Sequence, residues 1–138
     1  MSISPELQRA LLAAAHEAAA ASYSPYSNFP VGAALYLGDD APLVLGCNVE
    51  NASFSMTLCA ERTAIVKAVS DGHRANMRAI AIVATKTRPC FPCGACLQVM
   101  REFAPEILLI FEDAQGDPVV HALSEMLPFS FSNQDLPQ

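Results

Sequence analysis

The chain has 138 residues, of which 52% are hydrophobic and 16% charged. That is enough apolar material for one folded core over 1–138 and too little for a second domain, and it excludes intrinsic disorder. Eight Lys and Arg against fourteen Asp and Glu give a formal net charge of −6, a sign that repels phosphate backbones and anionic lipid and argues against a polymeric nucleic-acid partner. So few charges on so small a domain also point to a surface shared with another subunit.

Ser4-Pro5 reads as a helix start, a capping hydroxyl followed by a residue whose dihedral is already set. The Ala- and Leu-rich stretch 6–21 is the first expected helix, ending near Ser22. Residues 23–30 form a turn-rich connector with three aromatics, a composition found at surfaces and site rims. Two strands are expected over 31–37 and 43–49, joined by a hairpin turn at Gly38-Asp39-Asp40. After the polar stretch 51–57, residues 59–70 have helical spacing and close at Asp71-Gly72. A fully apolar strand over 79–84, a loop over 85–92, a helix over 93–103 and a buried strand over 107–111 follow. A polar turn then leads to a brief strand at Val119-Val120, a helical turn from Ser124 to Pro128, and an arm over 129–138.

Strand and helix alternating in series predict a parallel arrangement with right-handed crossovers, within a mixed sheet of about five strands covered by helices on both faces. The expected class is α/β, a three-layer α/β/α sandwich. The start of the chain lacks the basic and apolar segments of a secretory signal, and no apolar run approaches the roughly 18 residues of a membrane span. No membrane association and a cytoplasmic location are therefore expected.

Cys47, Cys59, Cys90, Cys93 and Cys96 are an odd set, three of them within seven residues, which suits thiol or metal chemistry in a reducing compartment better than a disulfide framework. Cys59 opens the second expected helix, and Cys93 and Cys96 open the third, with Pro92 presetting its entry. Parallel strands would bring both helix starts to one sheet edge, where free N–H groups and the positive dipole end stabilise thiolates. The two-residue gap in Cys93-Gly94-Ala95-Cys96 lets two sulfurs hold one zinc. With Cys59 as a third ligand the site keeps an open position for water; with Cys90 as a fourth it would be closed and structural. Glu61 follows Cys59 by two residues, a spacing that on a regular helix points the two side chains apart. Cys47 reads as a small core residue. His16, His73 and His121 have no ligand spacing with one another.

Cys59-Ala60-Glu61 with Pro92-Cys93-Gly94-Ala95-Cys96 resembles the signature of the zinc-dependent nucleoside and nucleobase deaminases. Phe29-Pro30-Val31-Gly32-Ala33-Ala34, residues 48–54, residues 59–64 and Leu127-Pro128 with Phe131 narrow the resemblance to the small, three-cysteine cytidine deaminases, over nearly the whole chain. The resemblance implies one zinc per chain on Cys59, Cys93 and Cys96, with Glu61 as proton shuttle in the hydrolysis of cytidine and 2′-deoxycytidine to their uridine counterparts and ammonia, a step of pyrimidine salvage. It implies that Asn48 and Glu50 grip the ribose hydroxyls and that Phe29 packs on the base, which is read by the backbone at Ala52. Phe54 and Phe131 would approach a site in a neighbouring subunit of a homotetramer. Arg62 would offset the charge of the three thiolates. An anionic Glu50 suits an unphosphorylated nucleoside. Two residues depart from the family pattern: Leu97 stands where a basic residue is usual, which puts in doubt a polar contact at the subunit boundary or near the metal, and Phe54 replaces a tyrosine. A deaminase of blasticidin S or another aminopyrimidine nucleoside, and a non-catalytic zinc-stabilised binding module, are the competing readings. Taken without the cysteines, Glu61 and Arg62 would be an ordinary solvated helix face, Asn48 a turn residue and Glu50 a surface carboxylate.

Overall fold

The computed structural model of the chain describes residues 2–137. Helix α1 (Pro5–Ala19) begins where expected, with the Ser4 hydroxyl accepting from the Leu7 amide at 3.1 Å. It ends two residues short of the expected 6–21 because the amides of Ala21 and Ser22 bond three residues back, to Ala18 and Ala19, and tighten the last turn. Strands β1 (Val31–Tyr36) and β2 (Val44–Cys47) form the expected antiparallel hairpin. The second strand is shorter than predicted: the Val49 amide and carbonyl turn away from β1 to pair with Leu58. A short 3-10 turn, Phe54–Met56, precedes α2 (Ala60–Ser70), and then come β3 (Ala79–Ala84), α3 (Gly94–Phe103), β4 (Leu108–Glu112), β5 (Pro118–Ala122) and a brief α4 (Leu123–Met126). Both α2 and α3 start one residue later than predicted, since Cys59 and Cys93 are extended residues in the N-cap position. Pro92 therefore sits ahead of the cap and does not occupy the first helical turn.

The five strands lie in the order β2-β1-β3-β4-β5. The strands of the β2-α2-β3-α3-β4 series run parallel as expected, but β2 and β3 are not neighbours: β1 pairs antiparallel with both of them, β3 pairs parallel with β4, and β5 is antiparallel to β4. Because β1 opposes both its neighbours, β2, β3 and β4 all run one way, with β1 inserted between β2 and β3. Helices α2 and α3 leave the ends of β2 and β3, and so both begin at the same sheet edge.

Side-chain alternation sorts the core into two layers. Ala33, Leu35, Ile80, Ile82, Leu109 and Phe111 face α2 and α3, while Ala34, Ala79, Ala81, Val83 and Ile110 face α1. This is the three-layer α/β/α sandwich with a mixed sheet. Leu97 is 6% exposed and packs within the first layer beside Met100, so its side chain serves the core where a basic residue could not be buried unpaired.

Two glycines let the helices approach the sheet. A Cβ on Gly32 would stand 1.9 Å from the Ala15 carbonyl oxygen, and one on Gly46 would stand 2.5 Å from the Ala60 oxygen and 2.6 Å from the Ala64 amide. Gly46 thus sets the seat of the first turn of α2, the turn that carries Glu61. Gly46→Ala is expected to lower the unfolding free energy by ~1–3 kcal/mol through overpacking. Gly94→Ala, where an added Cβ would meet nothing within 4 Å beyond its chain neighbours and its own helix backbone, should lower it by less than ~0.5 kcal/mol. Denaturant titration of both variants measures the difference, and equal losses would contradict the close-approach argument.

Candidate functional site

The two helix starts converge as the topology requires. The sulfurs of Cys59, Cys93 and Cys96 all lie within 4.8 Å of one another, and Cys93 Sγ is 3.6 Å from Cys96 Sγ. Cys59 and Cys93 occupy N-cap positions yet make no capping bond with their side chains, which leaves both sulfurs free to face a common point. Among the described residues this is the one group of three or more metal-type side chains. Three thiols at two positive helix ends fit a soft, four-coordinate ion such as zinc and leave it a fourth position. Cys90 stands outside the group, and burial pushes its thiol up to about 11, so the closed four-cysteine alternative is not the arrangement found. Cys47, half-buried at the end of β2, is likewise apart from it.

Charge at the cluster is unevenly held. Hydrogen bonding from Cys96, with the Arg62 guanidinium adding to it, lowers the Cys59 thiol to about 5, and the same bond raises Cys96. Arg62 Nη2 lies 3.6 Å from Cys59 Sγ and donates to the Thr57 carbonyl at 3.2 Å. Its Nε is buried without a partner among the described residues, so this cation depends on the sulfur and that carbonyl. Glu61 is 4% exposed. Burial pushes its carboxyl above the usual range and the Cys59 charge adds to the push, while hydrogen bonds from its own amide and the Cys96 thiol oppose it. The first turn of α2 therefore brings Glu61 to the sulfurs, the placement that residue spacing alone left open.

A second half of the site is built from irregular chain. Val49 bridges Tyr23 on one side and Leu58 on the other, with Val49–Leu58 amide-to-carbonyl distances of 2.9 Å in both directions. This short ladder carries Asn48 and Glu50 and ends one residue before Cys59. Glu50 accepts from the amides of Tyr26 and Ser27 at 2.9 and 3.1 Å and from the Ser27 hydroxyl. The hydroxyl bond chiefly holds the Glu50 carboxyl below its usual range. A cleft of about 340 Å³ opens here, lined by Tyr26, Ser27, Glu50, Phe54 and Thr57. Tyr26 and Phe54 meet edge to face at 5.7 Å.

Of the sequence-predicted contacts, Glu50 and Phe54 line that cleft, and Asn48 is buried outside its lining with its side chain donating to the Phe29 carbonyl. Phe29 is half-buried, and Ala52 is exposed in the loop before the 3-10 turn. Phe131 is 59% exposed, outside the cleft of its own chain, with its carbonyl accepting from Gln98 of α3 at 2.9 Å. Tyr26, Ser27 and Thr57 were not singled out from the sequence. The Ser- and Tyr-rich connector was visible as a site rim, but which of its groups turns inward depends on the pairing of residues 23 and 49. His16 and His121 bond to Glu112 and Glu125, away from the sulfurs.

Comparison with known proteins agrees with this geometry. The family model described as the cytidine and deoxycytidylate deaminase zinc-binding region matches residues 5–111. A cytidine deaminase of Sporosarcina psychrophila is 46% identical over 127 residues, covering 91% of this chain and 92% of the relative. The crystal structure of cytidine deaminase from Burkholderia pseudomallei superposes with a TM-score of 0.82 at 45% identity, over 89% of this chain and 98% of that one. That of the Mycobacterium tuberculosis cytidine deaminase gives 0.76 at 39% identity, over 89% and 95%.

Metal analysis should find one zinc per chain in the unmodified protein and in Cys90→Ser, and none in Cys93→Ser; the reverse pattern would reinstate the closed site. In the metal-free chain, ultraviolet thiolate absorbance should report one sulfur losing its proton near pH 5, with the anion present above that pH. That transition should vanish in Cys59→Ser.

Proposed function

The chain belongs to the cytidine and deoxycytidylate deaminase family and is a zinc-dependent cytidine deaminase, and from that membership we propose that it converts both cytidine and 2′-deoxycytidine to their uridine counterparts with release of ammonia, as a step of pyrimidine salvage. The supporting observation is a buried carboxyl, Glu61, beside three grouped sulfurs at the convergence of two helix starts. Cys59, Cys93 and Cys96 would hold the zinc, which when bound supplies Lewis acidity and makes a water nucleophilic at neutral pH. Glu61 moves the protons. Burial raises its affinity for a proton, the direction that suits a carboxyl that both accepts and donates protons. It takes a proton from the attacking water and delivers it to ring nitrogen 3. It then takes the proton of the hydroxyl now on carbon 4 and passes it to the exocyclic amine; the bond from carbon 4 to that nitrogen breaks, ammonia leaves, and the oxygen stays on carbon 4 as a carbonyl. Arg62, against the Cys59 sulfur, offsets part of the charge that three thiolates would place on a dication.

Asn48 and Glu50 take the sugar hydroxyls, Phe29 packs on the base and the backbone at Ala52 reads it. Glu50 is an anion at neutral pH and an acceptor only, so it favours a neutral sugar and repels a 5′-phosphate. The net charge of −6 acts in the same direction. We assign the whole chain, 1–138, to one deaminase domain working as a homotetramer, in which Phe54 and Phe131 reach a neighbouring site. Phe54 is 73% exposed, Phe129 fully exposed and Phe131 59% exposed, more aromatic surface than a lone protomer ordinarily leaves in water. A site of three reduced thiols suits the cytoplasm. No helix among the described residues is long and apolar enough to cross a membrane.

Glu61→Gln is expected to keep one zinc per chain and lose ~100- to 10,000-fold in kcat for ammonia release from cytidine; turnover at the unmodified rate would remove Glu61 from the proton steps. Cytidine 5′-monophosphate should be turned over at least ~100-fold less efficiently than cytidine, about 2.7 kcal/mol in transition-state terms. Comparable efficiency would contradict the role given to Glu50.

A further inference from the structure

We propose that Ser22 and Ser27 are positioning residues that set Asn48 and Glu50 as a matched donor and acceptor for a neutral sugar hydroxyl. The proposal rests on the reading of Asn48 and Glu50 as the sugar-gripping pair and adds two residues and a specificity rule to it. Asn48 is 7% exposed. Its Oδ1 accepts from the Val31 amide at 3.0 Å, and its Nδ2 donates to the Phe29 carbonyl at 2.9 Å. A backbone amide only donates and a carbonyl only accepts, so these two partners allow one orientation of the carboxamide. The Ser22 hydroxyl donates to the same Oδ1 and fills its second lone pair. Ser24 Oγ lies 3.1 Å from the same Ser22 hydroxyl. What Asn48 still offers a ligand is one Nδ2 hydrogen.

Glu50 is arranged in the opposite sense. Both lone pairs of Oε1 are taken by the Tyr26 and Ser27 amides, and Oε2 accepts from the Ser27 hydroxyl. What remains is an acceptor position on Oε2, at the wall of the cleft that Ser27 and Glu50 share. Asn48 and Glu50 flank Val49 in an extended, doubly bridged segment, which carries residues two apart on one side. The connector that supplies both serines is tied to the same segment, Tyr23 N donating to the Asn48 carbonyl at 3.1 Å and Glu50 N to the Tyr23 carbonyl at 2.8 Å. One open donor beside one open acceptor matches a hydroxyl, which both gives and accepts a hydrogen bond. It mismatches a phosphate, which at neutral pH chiefly accepts, and an ammonium, which only donates.

The test compares kcat/KM for cytidine with that for 2′,3′-dideoxycytidine, which keeps the base and lacks both sugar hydroxyls. Ser22→Ala and Ser27→Ala should each lower the cytidine-to-dideoxycytidine ratio by about 10-fold, or ~1.4 kcal/mol, with the loss appearing in KM for cytidine more than in kcat. Ser22→Thr and Ser27→Thr, which return the hydroxyl, should restore it. A merely structural role would depress both substrates together and leave the ratio where it was, and that result overturns the proposal. Asn48→Ala and Glu50→Gln separate the two layers of the argument. If they lower the ratio and the serine variants do not, positioning by the serines is wrong. If they too leave it unchanged, the sugar-gripping reading beneath it fails.

Discussion

Convergence of two helix N-termini on one point is the constraint on which the rest of the molecule depends. Three thiols within 4.8 Å are hard to ionise together, because each thiolate raises the cost of the next. The positive ends of α2 and α3 and the Arg62 guanidinium reduce that cost, and a bound dication would remove most of it. The strand directions make the convergence possible. Only because β2, β3 and β4 run one way do the two helices that follow β2 and β3 start on the same edge. Gly46 then lets α2 lie close enough to the sheet for its first turn to meet that of α3.

The site divides into two parts with different construction. The metal half stands on the starts of two regular helices, with Cys59 and Cys93 in the N-cap positions and Cys96 in the first turn of α3. The half around Glu50 stands on a bridged but irregular segment, held by side-chain hydroxyls and backbone bonds from a connector. They meet at Leu58 and Thr57. Leu58 pairs with Val49 and precedes Cys59, and the Thr57 carbonyl holds the arginine that touches the Cys59 sulfur. A shift of the connector would thus reach the metal ligands through two short backbone links. The charges in this region are predominantly negative: the thiolates and Glu50 against Arg62.

Much of this was legible in the residues, for identifiable reasons. Fully buried β3 announced itself as six apolar residues in a row, and its bounds came out as expected. Ser4-Pro5 marked the start of α1 by a local hydrogen bond that does not depend on tertiary structure. The three metal-ligand candidates were readable because both cysteine positions coincide with helix starts. The antiparallel insertion of β1 between β2 and β3 was less accessible, since alternation of strand and helix says nothing about which strands become neighbours. The closeness of Glu61 to the sulfurs depends on how α2 sits on β2, a packing relation carried by Gly46. Leu97 looked like a missing contact in the sequence and is a core residue in the fold. The hydrogen bonds of Ser22 to Asn48 and of Ser27 to Glu50 were out of reach because they arise from the pairing of residues 23 and 49, which are distant in sequence.

Among the described residues three sulfurs, and only three, are grouped to hold one ion. Zinc K-edge X-ray absorption on the zinc-loaded chain addresses it directly. Three sulfur neighbours at about 2.3 Å and one light-atom neighbour at about 2.0 Å are expected. A shell of four sulfurs would show that a further cysteine closes the site, and would contradict it.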